Sequence, residues 1–382
     1  MSWGESCLVG PAMGMSEQTG SPERVDERDT MFARMERRAG TFAYDDYYAR
    51  RPAARAGDDR LRRMTPLLSP GGQHYDPRVA GEAAEYFRAI GDIEVDGGLV
   101  ERWKARVRPS RNPTETIKAL VRSLGAVAVG CAELDQAFIY THKGRFDADY
   151  GRQVDLPHPS AIVFLVEMDF AAMQHAPCAQ VIRESARQYY RAADIAKVLE
   201  AVLVACGYAA RAHYDAHYDV ILPPLAVKAG LGELGRNNIL VADRFGSRVR
   251  IGAVTTDCPV DRDAPVSLGI GRFCEVCRKC ADNCPSHALS DDAPVAVRGV
   301  GKWPTVPERC HGYWRQVGTD CGICMAVCPF SHPDTALHRL VRRTVRVAPW
   351  LSRPLARLDD LFYGRRWKAR RGADASPQAV SS

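Results

Sequence analysis

The chain has 382 residues, with 52 Lys and Arg against 46 Asp and Glu for a net charge of +6, and 46% of its residues are hydrophobic. This length and composition suit a globular protein of two or three domains with a sizeable core. No apolar run approaches the length of a membrane-spanning helix, and no basic motif interleaved with aromatics argues for nucleic acid.

Residues 1–25 are rich in Gly, Ser and Glu and read as a disordered N-terminus. They lack the charged-then-apolar layout of a secretory signal, and Arg37-Arg38 does not precede an apolar region, so the expected location is cytoplasmic. Residues 26–112 carry many charges, tyrosines and proline breaks, and are expected to wrap a core rather than form one. Short helices are predicted at Asp29 to Arg38 and at Gly81 to Ala89.

From residue 113 to 265 the pattern is α/β (α+β). Pro113 to Ser123 has helical periodicity, Ala126 to Gly130 and Ser160 to Glu167 read as buried strands, and Ala179 to Ala205 is a long helix apolar at Ile195, Val198, Leu199, Val202 and Leu203. Gly207 is placed to end that helix. Tyr208 to His213 and Arg248 to Thr255 read as strands, with a short helix at Pro224 to Ala229. Gly230-Leu-Gly232-Glu-Leu-Gly235 matches the letters of a dinucleotide fingerprint. However, a helix precedes it where a strand belongs, and the apolar Ile239-Leu240-Val241 follows it where a helix belongs. It is better read as a glycine turn that lets backbone approach something large and flat, with Gly230, Gly232, Gly235 and Arg236 as candidate cofactor contacts.

Residues 266–335 hold the densest chemistry. Cys274-x-x-Cys277-x-x-Cys280-x-x-x-Cys284-Pro285 is followed by Cys310 and by Cys321-x-x-Cys324-x-x-x-Cys328-Pro329. Two runs, each closed by Cys-Pro, have the spacing of a two-cluster ferredoxin, in which the last cysteine of each run serves the other cluster. On that pattern Cys274, Cys277, Cys280 and Cys328 hold one [4Fe–4S] cluster, and Cys310, Cys321, Cys324 and Cys284 hold the second. A pair of structural zinc sites is the alternative, but zinc ribbons use two separated knuckles. The remaining five of the thirteen cysteines are scattered, which suits free thiols in a reducing compartment. Residues 336–382 form a basic C-terminal tail read as solvated.

Several segments together resemble the cobalamin-dependent reductive dehalogenases of the non-exported type. They are Ala229 to Val260 with the cysteine run that follows, the Cys310-His-Gly-Tyr313-Trp314 form of the second run, Glu27 to Pro52, Asp58 to Leu68, Ile139 to Arg145 and Leu358 to Gly364. The resemblance implies a nitroreductase-like core that binds a base-off corrinoid (cobalamin), with a C-terminal ferredoxin domain that relays electrons to it. Asp215-Ala-His217-Tyr-Asp-Val220 imitates a cobalt-ligating motif but has valine where glycine belongs. The resemblance further implies a tyrosine proton donor at Tyr189, an arginine partner at Arg250, and a third polar residue among His213, Asp215 and His217, with His217 preferred. The implied substrate is a small organohalide, and the implied partner is a soluble electron donor such as a ferredoxin, flavodoxin or flavin reductase. Two other readings compete. One is an epoxyqueuosine-reductase-like enzyme acting on tRNA, for which Asp194 is the matching proton donor. The other is a non-catalytic iron–sulfur electron carrier.

Overall fold

The computed structural model describes residues 24–108, 110–297 and 300–369. The N-terminal stretch read as disordered lies almost wholly outside these, but Arg24 is tied down, donating to the carbonyls of Ile139 and Val154.

A four-stranded, wholly antiparallel sheet forms the core, in the order Ala128–Glu133, Ser160–Glu167, Val249–Thr256, Ala210–His213. The unbroken apolar run of Ser160–Glu167 follows from its central position, where both faces are covered. Ile162, Phe164 and Val166 pack with Ile195, Val198, Leu199 and Val202 of the long helix Ala179–Ala205. Ala161, Val163 and Leu165 pack on the other face with Leu225 and Ala226 of helix Leu222–Lys228. Phe164 pairs with Gly252, and a Cβ there would meet the Phe164 ring at 2.5 Å. Gly207 takes a left-handed φ of +96°, and the amide of Tyr208 donates to the Leu203 carbonyl across it, closing the long helix as a C-terminal cap.

The N-terminal region wraps this core with more helices than its sequence suggests: Met31–Met35, Phe42–Arg50, Pro52–Arg62, Pro77–Ala89 and Gly97–Val107. It is held largely by polar contacts. Asp58 is fully buried, pairs with Arg34 at 2.5 Å and accepts from Tyr48 Oη at 2.8 Å. The same Arg34 reaches Glu308 at 2.6 Å, joining the wrap to the cysteine-rich segment.

That segment is built from short helices, Ile270–Cys277, Lys279–Asp282, Pro307–Val317 and Ile323–Ala326. Left-handed residues such as Arg278 (φ 57°) and Cys321 (φ 58°) turn the chain between them. The segment docks on the sheet through the buried Arg248. Its guanidinium donates to the Ser331 carbonyl at 2.7 Å and the Met168 carbonyl at 2.6 Å and pairs with Glu167 at 3.0 Å.

The basic C-terminal stretch corrects the reading of a solvated tail. Up to residue 363 it forms two helices, Ala336–Val347 and Ser352–Tyr363. They are clamped to the cysteine segment by Asp359, which bonds both Lys279 (2.6 Å) and His332 (2.7 Å). Arginine content concealed their helical spacing of apolar positions.

Candidate functional site

The eight motif cysteines fall into two groups. The Cys274 thiol is pushed up by burial and by Cys328, Cys280 and Cys277 around it, and these four line one small cavity. Burial likewise raises Cys321, to about 12, with Cys310 and Cys284 among its neighbours. Cys324 is raised by burial and then by Cys321, Cys310, Cys280 and Cys284, so it also feels a member of the first quartet. Among the described residues no three His, Cys, Asp or Glu side chains close on a single metal ion. Four thiolates on four separate irons stand wider apart than four on one zinc. The chemistry of this donor set, eight thiols in two interleaved quartets, fits two iron–sulfur clusters.

Tyr189 and Arg250 come together. The long helix carries Tyr189 and the neighbouring strand carries Arg250, whose Cζ lies 4.8 Å from the centre of the Tyr189 ring. Tyr189 is half-buried, and its ring also lies 6.3 Å from that of Phe87. Burial pushes its phenol up to about 12; Arg250 opposes this, while Asp215 and Asp320 add to it. The phenol is therefore protonated at neutral pH.

Arg250 is positioned by two residues that the sequence reading missed. Its Nη2 donates to Ser185 Oγ at 2.7 Å and to Asp320 Oδ2 at 3.3 Å, and Ser185 also donates to Asp320. Ser185 stands one helical turn before Tyr189, a spacing that puts the two on one face. Asp320 immediately precedes Cys321, which is the one signal that marks it. Burial raises the Asp320 carboxyl, offset by Arg250 and Ser185. Arg250 Nε and Asp320 Oδ1 are buried and have no hydrogen-bond partner. Buried polar atoms are nearly always satisfied, so this pair leaves hydrogen-bonding capacity open at the site. Arg250 Nη1 also lies 4.0 Å from the Met325 sulfur, beside Cys324.

The three candidates for the third polar residue differ sharply. His213 is fully buried: its Nδ1 accepts from the Asp219 amide at 3.2 Å, which leaves Nε2 to donate to Thr255 Oγ1 at 2.9 Å. Burial holds its pKa well below the usual range. His217 is exposed and stacks loosely between Phe146 and Tyr214. Asp215, 3.7 Å from Arg145, is the one whose charge acts on Tyr189.

The glycine loop packs closely on its own chain. A Cβ on Gly230 would meet the Ala264 carbonyl oxygen at 2.5 Å, and one on Gly232 the Val241 carbonyl oxygen at 2.3 Å, so their close approach is to the chain's own backbone. Gly235 and Arg236 line the cavity of the Cys274 quartet, and Arg236 Nε donates to the Cys274 carbonyl at 3.1 Å.

The fold and these quartets define an α+β protein with a ferredoxin-type dicluster segment, and a family profile described as a 4Fe-4S dicluster domain matches residues 273–332. The chain is related to the reductive dehalogenases. The tetrachloroethene reductive dehalogenase of Desulfitobacterium hafniense is 28% identical over 319 residues, covering 71% of this chain and 57% of its own. A solved reductive dehalogenase, described as suggesting a mechanism for B12-dependent dehalogenation, superposes with a TM-score of 0.67 at 25% identity over 90% of this chain and 47% of its own. Epoxyqueuosine reductase of Lactococcus garvieae (strain Lg2) is 30% identical over a shorter 143 residues, 36% of this chain and 39% of its own. The chain thus spans about half the length of the dehalogenases it matches.

Proposed function

We propose that the chain removes halide from an organohalide, with electrons relayed through two [4Fe–4S] clusters to a corrinoid. The observation that carries this reading is the Arg250 guanidinium, which faces the protonated Tyr189 ring while bonded to Asp320, the residue before Cys321. One side chain therefore joins a proton donor to the rim of a cysteine quartet. The first cluster is assigned to Cys274, Cys277, Cys280 and Cys328, and the second to Cys284, Cys310, Cys321 and Cys324. A bound corrinoid would supply the low-valent cobalt chemistry for the carbon–halogen bond, and the clusters would supply its electrons one at a time. Tyr189, Arg250 and Met325 are the residues that would face it, and the unpartnered Arg250 Nε supports the fit. Gly230 and Gly232 are already packed against backbone and are not part of this assignment.

Overall, two electrons and one proton convert the carbon–halogen bond to carbon–hydrogen and a free halide. Tyr189 holds that proton, and Arg250 lowers the cost of the phenolate left behind. Ser185 and Asp320 fix the guanidinium in place. We assign the third polar position to Asp215 in preference to His217, because its charge reaches Tyr189. The unbridged cysteines Cys131, Cys206 and Cys258 suit a reducing cytoplasm, and no helix among the described residues is long and apolar enough to cross a membrane.

The rival tRNA reading needs Asp194 at the site. Burial raises the Asp194 carboxyl, and Lys197 is the charge that acts on it; neither Arg250 nor Tyr189 does. The test is anaerobic reconstitution followed by metal analysis and assay of halide release from brominated phenols with titanium(III) citrate, an epoxyqueuosine anticodon stem-loop serving as the competing substrate. About eight irons and one cobalt per chain, with halide released, are expected. Retained iron without cobalt or halide release would overturn the proposal.

A further inference from the structure

The two C-terminal helices carry a surface that the proposed chemistry does not use. Helix Ala336–Val347 exposes Leu337 (64%) and Leu340 (60%), and helix Ser352–Tyr363 exposes Leu361 (78%) and Phe362 (71%). With Val341 and Leu358 these residues recur three and four apart, so each helix shows solvent an apolar stripe where a solvated helix would be polar. A groove of about 230 Å³ runs along them, and the buried rings of Phe273 and Phe330 also line it. These two rings meet edge to face at 5.0 Å and line, on their other side, the cavity of Cys274, Cys277, Cys280 and Cys328.

The helices that carry the groove are cationic. Arg343, Arg346, Arg353 and Arg357 are exposed and have no ion pair among the described residues. The two acidic residues of the same segment are committed inward, Asp359 to Lys279 and His332, and Asp360 to Arg365 at 3.1 Å. A second cavity of about 450 Å³ adjoins at Phe330, lined by Arg339, Arg342, Arg343 and Arg346 with Asp243.

We propose that this face docks an acidic one-electron carrier protein, which seats an apolar contact in the groove and reduces the cluster of Cys274, Cys277, Cys280 and Cys328. The proposal rests on the cluster assignment, not on the identity of the final substrate. An apolar centre inside a charged rim is the anatomy of a transient protein interface, and electron-transfer encounters are small and steered by charge. Electron transfer weakens steeply with distance, and a donor seated in the groove is brought close to the quartet because Phe273 and Phe330 line both the groove and the quartet's cavity. This also orders the relay. The Cys274 quartet lies under the groove, and the residues flanking Cys321 and Cys324 reach Arg250 at the candidate site. In each event the carrier is oxidised by one electron and a [4Fe–4S]²⁺ cluster becomes [4Fe–4S]⁺; two events serve one halide. A basic amphipathic surface also suits anionic lipid, but a concave trough set over a redox centre favours a protein.

The experiment follows bleaching of the cluster absorbance by stopped flow in the reconstituted full chain. The reductant is a reduced acidic plant-type [2Fe–2S] ferredoxin, with titanium(III) citrate as the small reductant that needs no docking. In the Arg343→Glu/Arg346→Glu variant and in Leu361→Ser/Phe362→Ser, the ferredoxin-driven rate is expected to fall tenfold or more. Salt slows the parent protein in the same assay. Iron content and the titanium-driven rate stay unchanged, which excludes misfolding. An unchanged ferredoxin-driven rate in both variants overturns the proposal. So does binding to phosphatidylserine vesicles, or self-association, that is lost in the variants while ferredoxin still reduces them normally. Neither organohalide nor corrinoid enters this assay, so halide release driven by titanium(III) citrate fails or succeeds independently of it.

Discussion

Replacing Tyr189 and Arg250 separately tests how the site delivers a proton. With the guanidinium 4.8 Å from the phenol ring, Coulomb's law at an effective dielectric of ~20 gives roughly 3.5 kcal/mol of phenolate stabilisation, or about 2.5 pKa units. That is an upper limit, because Asp320 opposes Arg250 at the same ring. Without Arg250, the buried Asp320 loses the cation that offsets its burial, so its charged form is less favoured and the opposing field weakens. Arg250→Gln is therefore expected to weaken Tyr189 as an acid by about one to two units. With a Brønsted dependence near one half, this slows proton delivery roughly three- to tenfold. Tyr189→Phe removes the proton altogether and is expected to cost about 10²–10⁴ in product formation. Arg250→Lys, which keeps the charge, stays nearer the parent. The assay is the single-turnover yield of dehalogenated phenol under titanium(III) citrate, with cluster bleaching as the control for electron supply. The reasoning is refuted if Tyr189→Phe forms product at the parent rate, or if Arg250→Gln falls as far as Tyr189→Phe.

Three further outcomes follow from other parts of the molecule. If the last cysteine of each run serves the other cluster, Cys277→Ala/Cys328→Ala damages a single cluster and leaves about four irons per chain, whereas Cys277→Ala/Cys284→Ala damages both; iron analysis with electron paramagnetic resonance reads the difference. The buried neutral His213 has its pKa held down by the fold, so the unfolded chain binds the extra proton and stability is lost as pH falls below about 6.5. Urea midpoints at pH 7.5 and 5.5 are expected to differ less in His213→Asn than in the parent, and an equal difference contradicts the assignment. Gly130 is pressed against the Ala229 carbonyl, where a Cβ would sit 2.1 Å from the oxygen. Gly130→Ala is therefore expected to destabilise by about 1–3 kcal/mol as overpacking, seen as a lowered urea midpoint with unchanged slope.

The parts of the fold legible in the sequence are those where one periodic signal decides the outcome. Ala179–Ala205 and Ser160–Glu167 fall where their apolar spacing and the Gly207 cap place them. The short strands shift by one to three residues, because their ends are set by pairing register with distant strands. Helices Phe42–Arg50 and Pro52–Arg62 were not legible, since their cores are Tyr44, Tyr47 and Tyr48 and the Arg34–Asp58 pair, and polar partners leave no apolar rhythm. The cysteine spacing marked out the dicluster segment that the family profile matches at residues 273–332, as clusters of this kind impose close ligand spacing. Tyr189 and Arg250 were reached only through family resemblance, because sixty residues separate two side chains that meet through the packing of a helix on a sheet. Ser185 and Asp320 were missed for the same reason.

Asp320 bears on whether Arg250 acts mainly through its charge or through its placement. Burial pushes the Tyr189 phenol up to about 12, and the Asp320 carboxylate adds to that against Arg250, while holding the same guanidinium at 3.3 Å. Asp320→Asn separates the two effects, since the amide oxygen can still accept from Ser185 and Arg250 but carries no charge. With the opposing field gone, Tyr189 becomes the stronger acid, and its titration, followed by NMR of ¹³Cζ-labelled tyrosine with Tyr189→Phe for assignment, moves below that of the parent. A Tyr189 that titrates as in the parent would show that Asp320 does not act on the ring, and the link drawn from the cluster rim to the proton donor would then be one of positioning alone.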